Sequence, residues 1–285
     1  MKRIVVIADI TWAIGRIHKD IEEELRSEYE FRYYNSANFI LSDFLKTFRE
    51  SDLCLSTLNL HNSLLDIIKT PQERTKLIFV CHGQSEIHKN IAWSKHVTYG
   101  SVSDILIPYF PVIPYIVPNG VNADLFLRKP RSGIISTLGW CGATRSAVKR
   151  YDWSLDIARK TRLPLSIAET LNLDDLKQWY HSIDILLVTS GPESSVETGP
   201  LPPFEAIVSG TLVVGTSVGN FRNVPGPKFS TIAEAVAIVN ELKSHPECVQ
   251  QLADEQYSWV MANWTYKTLA SSWKTMFDKV VTARI

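Results

Sequence analysis

The chain has 285 residues, 45% of them apolar and 21% charged, and its 30 basic and 30 acidic side chains cancel. That size and composition suit a globular protein of two ordinary domains, and the neutral balance excludes an overall field that would draw the chain to nucleic acid or acidic lipid. Cys54, Cys81, Cys141 and Cys248 are scattered without CxxC spacing, which argues against zinc and redox motifs, and no run of about 18 apolar residues is present to cross a membrane. Reduced thiols and a cytoplasmic setting are the expectation.

RIVVIAD (3–9) is short, apolar and β-branched, as a buried strand requires. HKDIEEELRS (18–27) sets Ile21 and Leu25 four apart, on one helix face. EFRYYN (30–35) reads as strand and NFILSDFLKTF (38–48) as amphipathic helix. LCLST (53–57), KLIFVC (76–81) and HVTYG (96–100) read as further strands. Alternating strand and helix predicts a parallel sheet covered on both faces. From Pro108 to Val121 the segment PYFPVIPYIVPNGV carries four prolines and an Asn119-Gly120 turn signal, and RKPRSG (128–133) is polar. These features predict a first lobe over 1–115 and a linker over 116–132.

The second half repeats the rhythm. GIISTLGW (133–140), LPLSIAE (163–169), DILLVTS (184–190) and TLVVGTS (211–217) read as strands. Between them lie the helical segments KRYDWSLDIARKT (149–161), NLDDLKQWYHS (172–182) with Asn172 as its cap, and the short PPFEAIVSG (202–210). Thr231 and Glu234 suit a capping box for STIAEAVAIVNEL (230–242), and 246–281 reads as two more helices. A second lobe over 133–262 and a closing helical segment over 263–285 follow. Ligands in such folds sit beyond the carboxyl ends of parallel strands, and with two lobes the cleft between them is the default site.

The stretch richest in chemistry is ETGPLPPFEAIVSG, Glu197 to Gly210, in which two glutamates with seven residues between them bracket a Gly/Pro loop. Pro202 and Pro203 suit the first positions of a helix, where a missing N–H costs nothing, and Leu201 before them cannot cap. The amides of Phe204 and Glu205, at the positive helix end, are then expected to face an anion, with Gly199 letting the backbone approach it. The Glu205 carboxylate suits a vicinal diol such as a ribose, and Glu197 reaches another part of the same ligand. A dipole-favoured glutamate and a solvated loop account for the same residues.

With LPPFEA running into SGTLVVGTSVGN, this stretch resembles the E-x7-E segment of the retaining GT-B glycosyltransferases, family 4-like. VPNGVNADLF (117–126) resembles that family's P-N-G-V-D-x-x-x-F, and GWCGATRSAVKRYD (139–152) occupies the place of its G-R…K-G segment. The resemblance implies an α/β fold of two Rossmann-like lobes, with C-terminal helices returning toward the first. It implies metal-independent transfer of a sugar, with retention, from a nucleotide diphosphate sugar, UDP-sugar above all, to a hydroxyl. In the catalytic set it places Glu197 on the donor sugar, Lys149 and Arg145 on the diphosphate, and His82 near the sugar. It gives Glu205 the ribose, and Gly199, Pro200, Leu201, Phe204, Gly15, Trp140 and Gly142 the rest of the donor. Asp9 and Trp12 fall on the acceptor side. No cofactor or metal is expected, and the acceptor stays open among sugar, lipid, small molecule and modified DNA base. The chain departs from the pattern at Thr198 and Pro200, where the family has glycine, and at Trp140-Cys141-Gly142, near its arginine. Two other readings share the fold: a nucleotide-sugar epimerase, and a binding module without catalysis, which Pro200 favours by removing a backbone donor.

Overall fold

The computed structural model describes residues 1–10, 13–87, 90–191 and 197–282. They divide into two compact units, 1–119 with 266–285, and 120–265.

The first unit opens with β1 (Lys2–Ala8), α1 (Ala13–Leu25), β2 (Tyr29–Asn35), α2 (Leu41–Glu50) and β3 (Leu53–Thr57). Then come α3 (His61–Ile67), α4 (Pro71–Arg74), β4 (Leu77–Cys81), β5 (Thr98–Ser101) and β6 (Tyr115–Ile116). The strands form one parallel sheet in the order β2-β1-β3-β4-β5-β6. β3 and β4 are buried at every residue, which is why they read as unbroken apolar runs. The sheet grows in opposite directions from β1, so the carboxyl ends of β1 and β3 border a topological switch point.

The second unit contains β7 (Leu138–Cys141), α5 (Tyr151–Thr161), β8 (Leu165–Ala168), α6 (Leu173–Ser182), β9 (Ile185–Val188), α7 (Leu201–Val208), β10 (Leu212–Gly215), α8 (Ile232–Ser244) and α9 (Pro246–Asn263). Its parallel sheet runs β10-β9-β7-β8 and reverses between β7 and β9. Asn172 caps α6, accepting from the Asp175 amide at 2.9 Å. Thr231 caps α8 through the Glu234 amide, while the Glu234 carboxylate takes the Ser230 N–H at 2.7 Å. Gln256, buried on α9, closes the open side of β10: its amide accepts from the Val213 N–H at 2.9 Å and donates to the Val213 carbonyl at 2.8 Å.

The chain then returns to the first unit as α10 (Tyr266–Thr282), whose Trp273, Met276 and Phe277 are buried. Asp278 fixes its end, accepting from Lys2, Tyr29 and Lys274. Burial alone would raise that carboxyl, but these donors outweigh it and hold it well below the usual carboxylate range.

The α/β class and the two parallel sheets are as expected from sequence, and several local expectations are corrected. The strand expected over 133–140 forms only at Leu138–Cys141, because the Asp184 carboxylate gathers the amides of Ser136 and Thr137 and the Ser136 hydroxyl into a loop. The helix expected from 149 starts at Tyr151, and α1 starts at Ala13, ahead of the expected His18. At the start of the expected linker 116–132, Ile116 ends β6 and pairs with Ser101 of β5, and Arg131 is fastened to the second unit. The four cysteines are free thiols, and no helix among the described residues is long and apolar enough to cross a membrane.

Candidate functional site

The second unit gathers its chemistry at the carboxyl ends of β7 and β9. Lys149 ends a short 3-10 turn, Ala147–Lys149, and its ammonium pairs with the Glu197 carboxylate, which also accepts from the Ser190 hydroxyl at 3.3 Å. This turn is held from below. The Gly191 amide donates to the Val148 carbonyl at 3.0 Å and the Thr189 hydroxyl to the Lys149 carbonyl at 2.7 Å. The Trp140 indole donates to Thr189 at 3.0 Å. Trp140, 2% exposed, therefore braces the Lys149 turn. Gly142 lies beside it, where a Cβ would stand 3.4 Å from the lysine stem. Trp140, Lys149, Ser190, Pro200 and Pro203 line a small recess here.

The Glu197 end is seated on SVGN. The Asn220 amide donates to the Thr198 carbonyl at 2.8 Å, and Gly219 adopts φ 44°, where a Cβ would collide with the carbonyls of Glu197 and Thr198. Only glycine fits that approach.

The start of α7 corrects an expectation. Leu201 is its first residue, Pro200 its N-cap, and no side chain among the described residues caps it. The amides without an intrahelical acceptor are those of the N-cap and the next three residues, here Pro200, Leu201, Pro202 and Pro203. Three of them are prolines, so the Leu201 amide is the one donor left. Phe204 and Glu205 fall beyond this set, and their amides are not the anion-facing groups expected. The Phe204 ring stacks on Trp264 with centroids 5.5 Å apart, in the core. Glu205, 3% exposed, accepts from the Tyr180 hydroxyl at 2.8 Å. Gly199 and Leu201 are half-buried, and Arg145 is exposed on the turn before Lys149.

In the first unit, Asp9 directly follows β1, and Gly15 sits in the first turn of α1, where a Cβ would strike the Ile10 carbonyl. Trp12 lies outside the described residues. His82 follows β4, its amide donating to Glu86 at 3.1 Å, and its ring meets His18 of α1 edge-on at 6.3 Å. Burial lowers His18 to about 3, with repulsion from His82 adding to it, and lowers His82 to about 4. Burial raises Glu86 to about 7, against backbone hydrogen bonds that pull it down. Among the described residues no group of three His, Cys, Asp or Glu could hold a metal ion.

These shifts set a pH dependence. The histidines' folded pKa values lie below 6.5, so their contribution to stability is complete above pH 6.5 and is lost as pH falls toward 4. Glu86 acts with opposite sign: its contribution is complete below pH 4.5 and is lost as pH rises through 7. Two histidines outweigh one glutamate between pH 4.5 and 6.5. Stability is expected to drop there by on the order of 1.4 kcal/mol per pH unit of acidification, and Glu86→Gln to steepen the slope. Denaturant melts at pH 5 and pH 6 measure it, and a flat profile in both proteins contradicts the assignment.

No protein-family model and no curated protein matches the sequence. Solved structures do match. AviGT4, a glycosyltransferase involved in avilamycin A biosynthesis, aligns over 99% of both chains at 12% identity with a TM-score of 0.65. Anabaena Alr3699/HepE in complex with UDP aligns over 98% of this chain and 100% of its own at 13% identity, with a TM-score of 0.68. T4 phage BGT in complex with its UDP-glucose substrate aligns over 98% of this chain and 99% of its own at 11% identity, with a TM-score of 0.55. The chain has the GT-B glycosyltransferase fold. At these identities the likeness establishes that fold.

Several of the site's residues carry no signal in the sequence. Tyr180 sits in an amphipathic helix with nothing to mark its hydroxyl, and Ser190 and Thr189 read as the end of a strand. Glu86 did carry a signal: in CHGQSE it stands four residues after His82, close enough to return to the His82 amide.

Proposed function

We propose that the protein is a glycosyltransferase that moves a sugar from a nucleotide diphosphate sugar, UDP-sugar first, to a hydroxyl acceptor, with retention and without a metal. One observation carries this reading: the Lys149–Glu197 pair, braced through Thr189 and Trp140 at the carboxyl edge of a parallel sheet. HepE with UDP and BGT with UDP-glucose share the fold, which supports the donor class. A diphosphate carries more charge than one carboxylate and competes for the Lys149 ammonium, releasing Glu197 to the hydroxyls of the donor sugar. As the sugar–phosphate bond breaks, that ammonium stabilises the charge on the departing nucleoside diphosphate. The acceptor oxygen bonds to the anomeric carbon from the same face, and its proton passes to a leaving phosphate oxygen. Glu205, steadied by Tyr180, takes the ribose hydroxyls.

Glu205→Ala is expected to weaken UDP binding about 10- to 100-fold, the worth of a charge-assisted hydrogen bond or two, and Tyr180→Phe by less. Glu197→Gln should lower kcat more than donor affinity. Calorimetric titration and steady-state kinetics read these effects, and wild-type-like behaviour in both glutamate variants contradicts the assignment. The reaction itself is tested with UDP-sugars and a panel of hydroxyl acceptors in EDTA, with the anomeric configuration of the product read by NMR. Product of inverted configuration, or turnover only with a divalent cation, overturns that part of the reading.

A binding module without catalysis is the second reading, and the prolines favour it: Pro200, Pro202 and Pro203 leave α7 with the Leu201 amide alone to offer an anion. It expects UDP binding with no turnover on any acceptor.

A further inference from the structure

We infer that Arg150, rather than Arg145, supplies the second cation of the diphosphate site; the inference rests on the glycosyltransferase reading. Among the described residues, Arg150 and Arg162 are the non-glycine residues with positive φ. Arg162 has an ordinary reason: at φ 57° it ends α5, its amide returning to the carbonyls of Ala158 and Arg159, as helix ends often do. Arg150, at φ 46° and ψ 53°, instead joins the 3-10 turn of Lys149 to the first residue of α5. Glycine would adopt that conformation without a Cβ penalty, so an arginine there holds strain that its side chain must justify.

The side chain is placed with care. Its guanidinium lies over the Trp153 ring at 4.6 Å and against Gly191, where a Cβ would stand 2.9 Å from Nη2, 3.0 Å from Cζ and 3.1 Å from Nε. Any larger residue at 191 would displace it. Gly191 directly follows Ser190, whose hydroxyl meets Glu197, the partner of Lys149. The left-handed turn thus sends two consecutive cations to the same strand end, one to Glu197 and one to Gly191. Their chemistries complement each other: a lysine is a point charge, whereas a guanidinium fork binds two phosphate oxygens at once. The positive end of α5, an 11-residue helix, begins at the next residue. Arg145 has none of these features and stays exposed.

Arg150→Gly, Arg150→Lys and Arg145→Ala test this, with UDP and uridine titrated calorimetrically in EDTA. Arg150→Gly relieves the backbone while it removes the cation, so the variant is expected to fold, to bind UDP at least about 10-fold more weakly, and to keep the wild-type affinity for uridine. Arg150→Lys should fall between the two, and Arg145→Ala should bind UDP within about 2-fold of wild type. Arg150→Gly binding UDP like wild type overturns the inference and leaves the glycosyltransferase reading standing. So does an equal loss of UDP and uridine affinity in Arg150→Gly and Arg150→Lys, which marks a purely structural role. If wild-type protein binds no UDP, the glycosyltransferase reading itself fails, and the inference with it.

Discussion

Lys149→Ala is expected to lower kcat with a UDP-sugar donor by about 10²- to 10³-fold, the usual effect of removing one preorganised group that meets developing charge. Lys149 is braced for that task. Its turn is tied to Thr189, Thr189 to Trp140, and Gly191 to Val148, so the ammonium does not have to be organised as the bond breaks. The substitution has a second consequence. Glu197, 12% exposed at its side chain, loses the cation that balances it and, among the described residues, keeps the Ser190 hydroxyl. That should lower stability by roughly 1–3 kcal/mol and blunt donor affinity. Lys149→Arg restores the charge at a different reach and should recover part of kcat. Steady-state kinetics on protein with a wild-type circular dichroism spectrum checks this, and an unchanged kcat removes Lys149 from the chemistry.

Arg131→Ala is expected to be the most destabilising single change outside the apolar core. The guanidinium donates to the carbonyls of Gly210, His181, Ile183 and Tyr180 and to the Thr211 hydroxyl, at 2.5 to 3.2 Å. One planar fork thus joins the end of α6 to the turn between α7 and β10. Alanine would leave several of these acceptors unsatisfied, at a cost of about 3 kcal/mol or more. At roughly 2–4 °C per kcal/mol the thermal midpoint should fall by roughly 6–12 °C. Arg131→Lys should recover less than half, because one ammonium cannot reach acceptors spread over two connections. The Tyr180 carbonyl hangs from Arg131 while the Tyr180 hydroxyl meets Glu205, so UDP affinity should fall as well. A midpoint shift under about 2 °C contradicts this account.

Arg131 also shows where the sequence stops being readable. In RKPRSG it looks like part of a polar connection, because the acceptors it uses lie 49 to 80 positions away along the chain. The strands were legible for the opposite reason: a parallel sheet buried on both faces needs unbroken apolar runs such as LIFVC and ILLVTS, and these are local. Caps were legible too, since Asn172 and Thr231 act within three residues. α3 and α4 were not, being short and carrying little periodicity. At the candidate site, the two glutamates and Lys149 stood out by type and spacing, and the structure sets Lys149 against Glu197. The left-handed turn at Arg150, the bracing by Trp140 and the hydroxyl of Tyr180 on Glu205 depend on tertiary geometry that no local pattern records.

The most direct test of the central claim is a calorimetric titration of the wild-type chain with UDP in EDTA, repeated with Lys149→Ala. Saturable binding of one UDP per chain without metal is expected, weakened at least about 10-fold by the substitution. Absence of binding by folded wild-type protein, or equal affinity in the two proteins, would contradict it.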